Sequence, residues 1–98
     1  MVEIPATLER VAEATGELKE RILAKGVEEY IRSELRGVNA EIIEIRSRYG
    51  VESSGEMDER YGKGLLDEEH SWRDFFRLSH LEERREVLER LLLESRVE

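Results

Sequence analysis

The sequence predicts an all-α protein: a long helical arm with a kink, a short elbow helix, and a C-terminal helix folding back along the first as a hairpin. Three observations predict it. Apolar residues recur at 3-4 spacing over most of the chain, and no segment alternates apolar and polar residues as a half-buried strand would. A single stretch, Tyr49 to Phe76, breaks the helical period. It holds four of the seven glycines, the only tryptophan and both phenylalanines. With 39% apolar and 41% charged residues in a chain of 98, a self-sufficient globular core is not expected. Narrow stripes buried between long helices, or against another chain, suit this composition. One domain is expected over residues 1–98, divided into an arm (1–49), an elbow (50–66) and a closing helix (67–95). Two narrow stripes per chain point to a homodimer, because a monomer would leave apolar surface exposed.

The arm begins after Pro5, which suits a first helical turn, with Thr7 as another candidate cap. Leu8, Val11, Thr15, Leu18 and Ile22 form a heptad stripe, and Glu17 and Arg21 make an i,i+4 charge pair. Gly26 then stops the helix or bends it, since a continuous helix loses about 1 kcal/mol there relative to alanine. The stripe resumes with Val27, Ile31, Leu35, Val38, Ile42, Ile45 and Tyr49, and Ile43 widens it, so this segment should be the better buried. Arg46 and Arg48 in the last turn and Gly50 after it suit a helix C-terminus.

In the elbow, Ser53 and Ser54 can cap a short helix running to about Arg60, closed by the Gly62-Lys63-Gly64 turn. Asp67 caps the final helix, with Glu68 and Glu69 in its first turn where the dipole favours negative charge. Leu78, Leu81, Leu88 and Leu92 keep a heptad along it. Arg85 occupies a seam position and must snorkel or find a carboxylate.

The absence of cysteine excludes disulfides, thiolate metal sites and cysteine nucleophiles. No apolar run is longer than Leu91-Leu92-Leu93 and no signal-peptide hydrophobic region opens the chain, so a cytoplasmic protein is expected. Glutamine is absent and Asn39 is the only asparagine, a balance like that of hyperthermophile proteins. The net charge of −8 is concentrated: residues 51–70 carry seven acidic and two basic groups. Such a patch opposes phosphate backbones and favours a basic protein surface, although the same residues also read as a solvated acidic loop.

The candidate partner-binding residues are therefore Trp72, Phe75 and Phe76, one turn apart, with Asp67, Glu68 and Glu69 beside them. Aromatic anchors dominate interface energetics, and the acidic residues would steer a basic partner. The competing role for the aromatics is a local mini-core under the elbow, with Phe75 and Leu78 inward and Trp72 partly exposed. No cofactor is implied. His70 and Asp74 share a helical face near Glu69, but His80 lies about 280° around the helix from His70, so no metal site is expected. Arg73-Asp74-Phe75-Phe76-Arg77-Leu78-Ser79-His80 is similar to the active-site motif of HEPN-type ribonucleases. That likeness would make Arg73 a phosphate stabiliser and His80 a general acid or base.

A second resemblance covers residues 35 to 92. Tyr49-Gly50-Val51, Met57, Gly64-Leu65-Leu66-Asp67-Glu68-Glu69 and Asp74-Phe75-Phe76-Arg77-Leu78 follow in order. This order resembles a family of small helical antitoxin-like proteins, among them partners of TumE-type toxins. In that family a Tyr-Gly-Met helix end precedes a Glu-Glu-Phe helix, an acidic turn and an Asp-Phe-x-Glu-Trp helix start. Val51 stands for the family's methionine, Met57 lies one residue past its phenylalanine, and Arg77-Leu78 replaces its Glu-Trp. The resemblance implies a non-catalytic protein that neutralises a neighbouring toxin by masking it, and the residues alone equally suit a structural helical adaptor with no toxin partner. The resemblance implies no DNA-binding module, and neither a ribbon-helix-helix nor a helix-turn-helix pattern is present.

Overall fold

The computed structural model describes residues 4–95, which form helices and the short turns between them, with no strand among the described residues. The elements are α1 (Ile4–Thr15), α2 (Lys19–Tyr49), α3 (Ser54–Gly62) and α4 (Glu68–Ser95). Of the arm expected at 1–49, residues 1–3 lie outside the described residues and the rest is two helices, and Gly26 is not where it divides. The division falls at Gly16, whose φ of 75° lies in the left-handed region that a residue with a Cβ resists. Its N–H donates to the Ala12 carbonyl at 2.8 Å. The Thr15 hydroxyl donates to the Val11 carbonyl and accepts from the Glu17 N–H, closing the last turn of α1. α2 then runs unbroken through Gly26. A deficit of about 1 kcal/mol at one exposed glycine does not interrupt a helix held along its length by a buried stripe.

α2 and α4 are antiparallel partners, and three ion pairs mark their register. Arg48 meets Asp74 at 2.7 Å, Arg77 meets Glu41 at 2.7 Å, and Arg84 meets Glu34 at 2.8 Å. Between them Ile31, Leu35, Val38, Ile42 and Ile45 face Leu78, Leu81 and Leu88. Ile43, expected to widen this stripe, is instead 59% exposed, and Val27 at its start is 55% exposed. Ile43 sits about 100° round the helix from Ile42, too far to reach α4. Arg85, at its seam position, is half-buried.

The elbow folds α3 onto α4. Gly50 takes the left-handed conformation at φ 62°, and the Arg46 carbonyl accepts from both Gly50 and Val51, which turns the chain. The Ser53 hydroxyl accepts from the Glu56 N–H at 3.1 Å, the cap expected from the sequence, and Glu56 reaches back to the Glu52 N–H at 2.7 Å. Ser54 donates through both its N–H and its hydroxyl to Glu82, while Tyr61 at the other end meets Ser71. α3 therefore runs antiparallel to α4 and parallel to α2. Its Met57 and the facing Leu78 are both completely buried, and Val51 closes the core beneath the turn. None of the described helices is long and apolar enough to cross a membrane.

Candidate partner-binding site

The first turns of α4 and the last turn of α3 enclose a groove of about 430 Å³. Asp58 and Tyr61 line it from α3, and Glu68, Trp72, Phe75 and Phe76 line it from α4. The helical repeat explains both contributions. Asp58 and Tyr61 are i,i+3, and Glu68, Trp72 and Phe75 or Phe76 follow one another at three- and four-residue steps.

The floor is fixed by hydrogen bonds. The Ser71 hydroxyl, buried, donates to the Asp67 carbonyl at 2.7 Å, so the Tyr61 hydroxyl 2.6 Å away donates to Ser71. This holds the Tyr61 ring edge-to-face with Phe75 at 5.6 Å. Phe75 packs against the core, and Phe76 meets it at 5.3 Å with its plane turned by 63°. Trp72 meets Phe76 at 6.0 Å and 77°. The expected division is seen: Phe75 and Leu78 face inward, while Trp72 is 44% and Phe76 60% exposed.

The three acidic residues singled out beside the aromatics separate. Glu68 lines the groove. Glu69 lies on a neighbouring groove with His70, Arg73 and Asp74, which Trp72 also borders. Asp67 is spent locally: its carboxylate accepts from the Glu69 N–H at 3.1 Å and pairs with the His70 ring at 2.5 Å. The His70 contact, helped by that backbone N–H, holds the Asp67 carboxyl below its ordinary value. His70 and Asp74, considered together as metal ligands, are also apart in use. Asp74 accepts from the Tyr49 hydroxyl at 2.5 Å and from Arg48 at 2.7 Å, and no metal-ligating group of three is found among the described residues. The Tyr49 bond depresses the Asp74 carboxyl most, and the same bond raises the Tyr49 phenol. Arg73 lies over the Trp72 ring at 5.3 Å, while His80 lines two other grooves between and along α2 and α4.

Over residues 1–98 the chain matches the family described as "Uncharacterized protein MJ0235 family". It belongs to that family. No curated protein and no solved structure matches it.

Tyr61 and Gly62 are groove residues that sequence reasoning missed, and Asp58 was legible only as part of the elbow's acidic excess. The i,i+3 relation of Tyr61 to Asp58 was legible, but the pairing of α3 with the first turns of α4 was not. A second apolar surface was also unforeseen in detail: Val87, Leu88 and Leu91 form a groove along α4 with His80, Glu83 and Arg84 at its edge.

Proposed function

We propose that this chain is a non-catalytic protein-binding module that docks a basic partner on the α3–α4 groove. In this reading it is a cytoplasmic antitoxin masking a toxin encoded beside it, and it acts as a homodimer. The observation that carries the proposal is the state of Trp72 and Phe76. Both rings are held in place by edge-to-face contacts, yet roughly half of each faces solvent in a groove with Asp58 and Glu68 at its rim. Rigid, exposed aromatics beside excess negative charge have the makings of an interface hot spot with a steering field. The toxin partner rests on the family resemblance carried by Tyr49-Gly50-Val51 and Asp74-Phe75-Phe76.

The test pairs binding with stability. Phe76→Ala should weaken the complex with the product of the adjacent gene at least about thirtyfold, as loss of a hot-spot residue does. It should barely move the melting temperature of the free chain. Phe75→Ala, which removes a ring packed on the core, should instead lower stability by about 3 kcal/mol. A Phe76→Ala variant that binds like the parent would overturn the docking site. RNA cleavage by the purified chain, abolished by His80→Ala, would replace this reading with that of a HEPN-like ribonuclease using Arg73 and His80.

A further inference from the structure

We infer that the α3–α4 groove is a receptor for an arginine side chain projected by the partner. The inference rests on the docking site proposed above and names the group that fills it. Tyr61, Phe75, Phe76 and Trp72 all line the groove, and successive rings meet at steep interplanar angles of 78°, 63° and 77°, so the rings around this one concavity lie in different planes. Ring faces are electron-rich and attract cations within about 6 Å. Asp58 on α3 and Glu68 on α4 stand on opposite sides of the same groove, and neither carboxylate has a hydrogen-bond or ion-pair partner among the described residues. Elsewhere the chain supplies its own counter-ions: Glu41, Glu56 and Asp74 each hold an arginine. No basic side chain lines this groove.

Charge and shape both select the occupant. A nucleic acid or anionic surface would meet two carboxylates and the excess charge of the elbow, so a cation is required. Between the two basic side chains, guanidinium fits better. It is planar, stacks on aromatic faces, is weakly hydrated and has enough donors to reach two carboxylates at once, whereas ammonium is a compact and strongly hydrated point charge. Trp72 already shows this affinity toward its own neighbour, because the Arg73 guanidinium lies over its ring at 5.3 Å on the side of the adjoining groove.

Trp72 is the only tryptophan, so its fluorescence reports the groove directly. The probe is the peptide acetyl-Ala-Arg-Ala-amide, titrated into the full chain beside its citrulline counterpart, which keeps the shape and lacks the charge. The arginine peptide should give a saturable change of Trp72 emission with a Kd in the millimolar range, and the citrulline peptide should bind at least about tenfold more weakly. Two variants separate a built receptor from diffuse attraction to an acidic protein. Asp58→Asn with Glu68→Gln removes the charge, and Phe76→Ser removes an aromatic wall while keeping every charge. Each should weaken the arginine peptide about tenfold, with helicity unchanged. Equal binding of arginine and citrulline peptides, or undiminished binding to Phe76→Ser, would overturn the inference. An unresponsive Trp72 combined with a partner complex that still depends on Phe76 would leave the docking site standing and remove the arginine from it.

Discussion

Asp74 shows how one side chain locks the hairpin to its elbow. It receives the Tyr49 hydroxyl and the Arg48 guanidinium from the last turn of α2, which fixes where α4 crosses the end of that helix. Its carboxyl is held below its ordinary value, chiefly by the tyrosine bond, so the sign of its linkage to pH is set. The stabilisation is fully present above the ordinary aspartate range and is lost as pH falls through the depressed value. Tyr49→Phe should cost about 1–2 kcal/mol near neutral pH, since the lost bond is to a charged acceptor. The deficit against the parent should shrink on acidification, and carboxyl NMR should show Asp74 titrating closer to its ordinary range, with Arg48 keeping it from returning fully. An Asp74 titration unchanged in the variant would show that Arg48 alone sets it. The sequence made Phe75 and Leu78 legible as one inward face because three residues on a helix are neighbours by geometry. The Tyr49–Asp74 bond spans 25 positions and was not legible. Which turn of α2 meets which turn of α4 depends on how α3 folds back, and that is a property of the elbow rather than of either residue.

At the scale of the element, the two glycines of the arm are the instructive pair. Periodicity marked Gly26 because it interrupts the stripe, and a local penalty was weighed there without the gain from burying Ile31 to Ile45. Gly16 does not interrupt the pattern of apolar residues and so gave no periodic signal, yet it takes the backbone conformation that ends α1. The two should respond oppositely to one extra methyl group. Gly26→Ala should stabilise the chain by about 0.5–1 kcal/mol, since a Cβ there meets nothing within 4 Å and the unfolded chain loses freedom. Gly16→Ala has equal room, but its φ of 75° makes the substitution unfavourable by about 1–2 kcal/mol. Urea melts followed by circular dichroism decide the matter; stabilisation by both substitutions would mean that α1 and α2 can join into one straight helix. The caps at Ser53 and Asp67 were legible for the converse reason, because their partners Glu56 and Glu69 lie within three residues.

For the whole molecule, the decisive feature is the mismatch in length between the two sides of the hairpin. The Cα radius of gyration is 19.7 Å, against about 13 Å for a compact domain of this size, and the principal extents are 62 × 29 × 19 Å. Carrying the Glu34–Arg84 register forward brings Ser95, the last residue of α4, opposite Leu23. α1 and the first turn of α2 therefore project past the end of their partner. Around this open end Val11, Leu18, Leu23 and Val27 on one side, and Val87, Leu91 and Leu93 on the other, are exposed. The stripes that the sequence displayed are covered from Ile31 to Tyr49 on α2 and from Leu78 to Leu92 on α4, whereas Val11, Leu18 and Val27 toward the open end are left exposed. Two copies joined at their open ends would continue the α2–α4 seam into a four-helix arrangement with the same packing, leaving the aromatic groove at the far end of each copy free. Light scattering at micromolar concentration should give twice the chain mass. Val27→Glu with Leu91→Glu should halve it while helicity persists, because neither residue is in the buried core. Phe76→Ala should leave the dimer intact. A monomeric parent would mean that the open end awaits a different chain, and a dimer that dissociates with Phe76→Ala but survives the paired glutamates would place the self-contact on the groove instead.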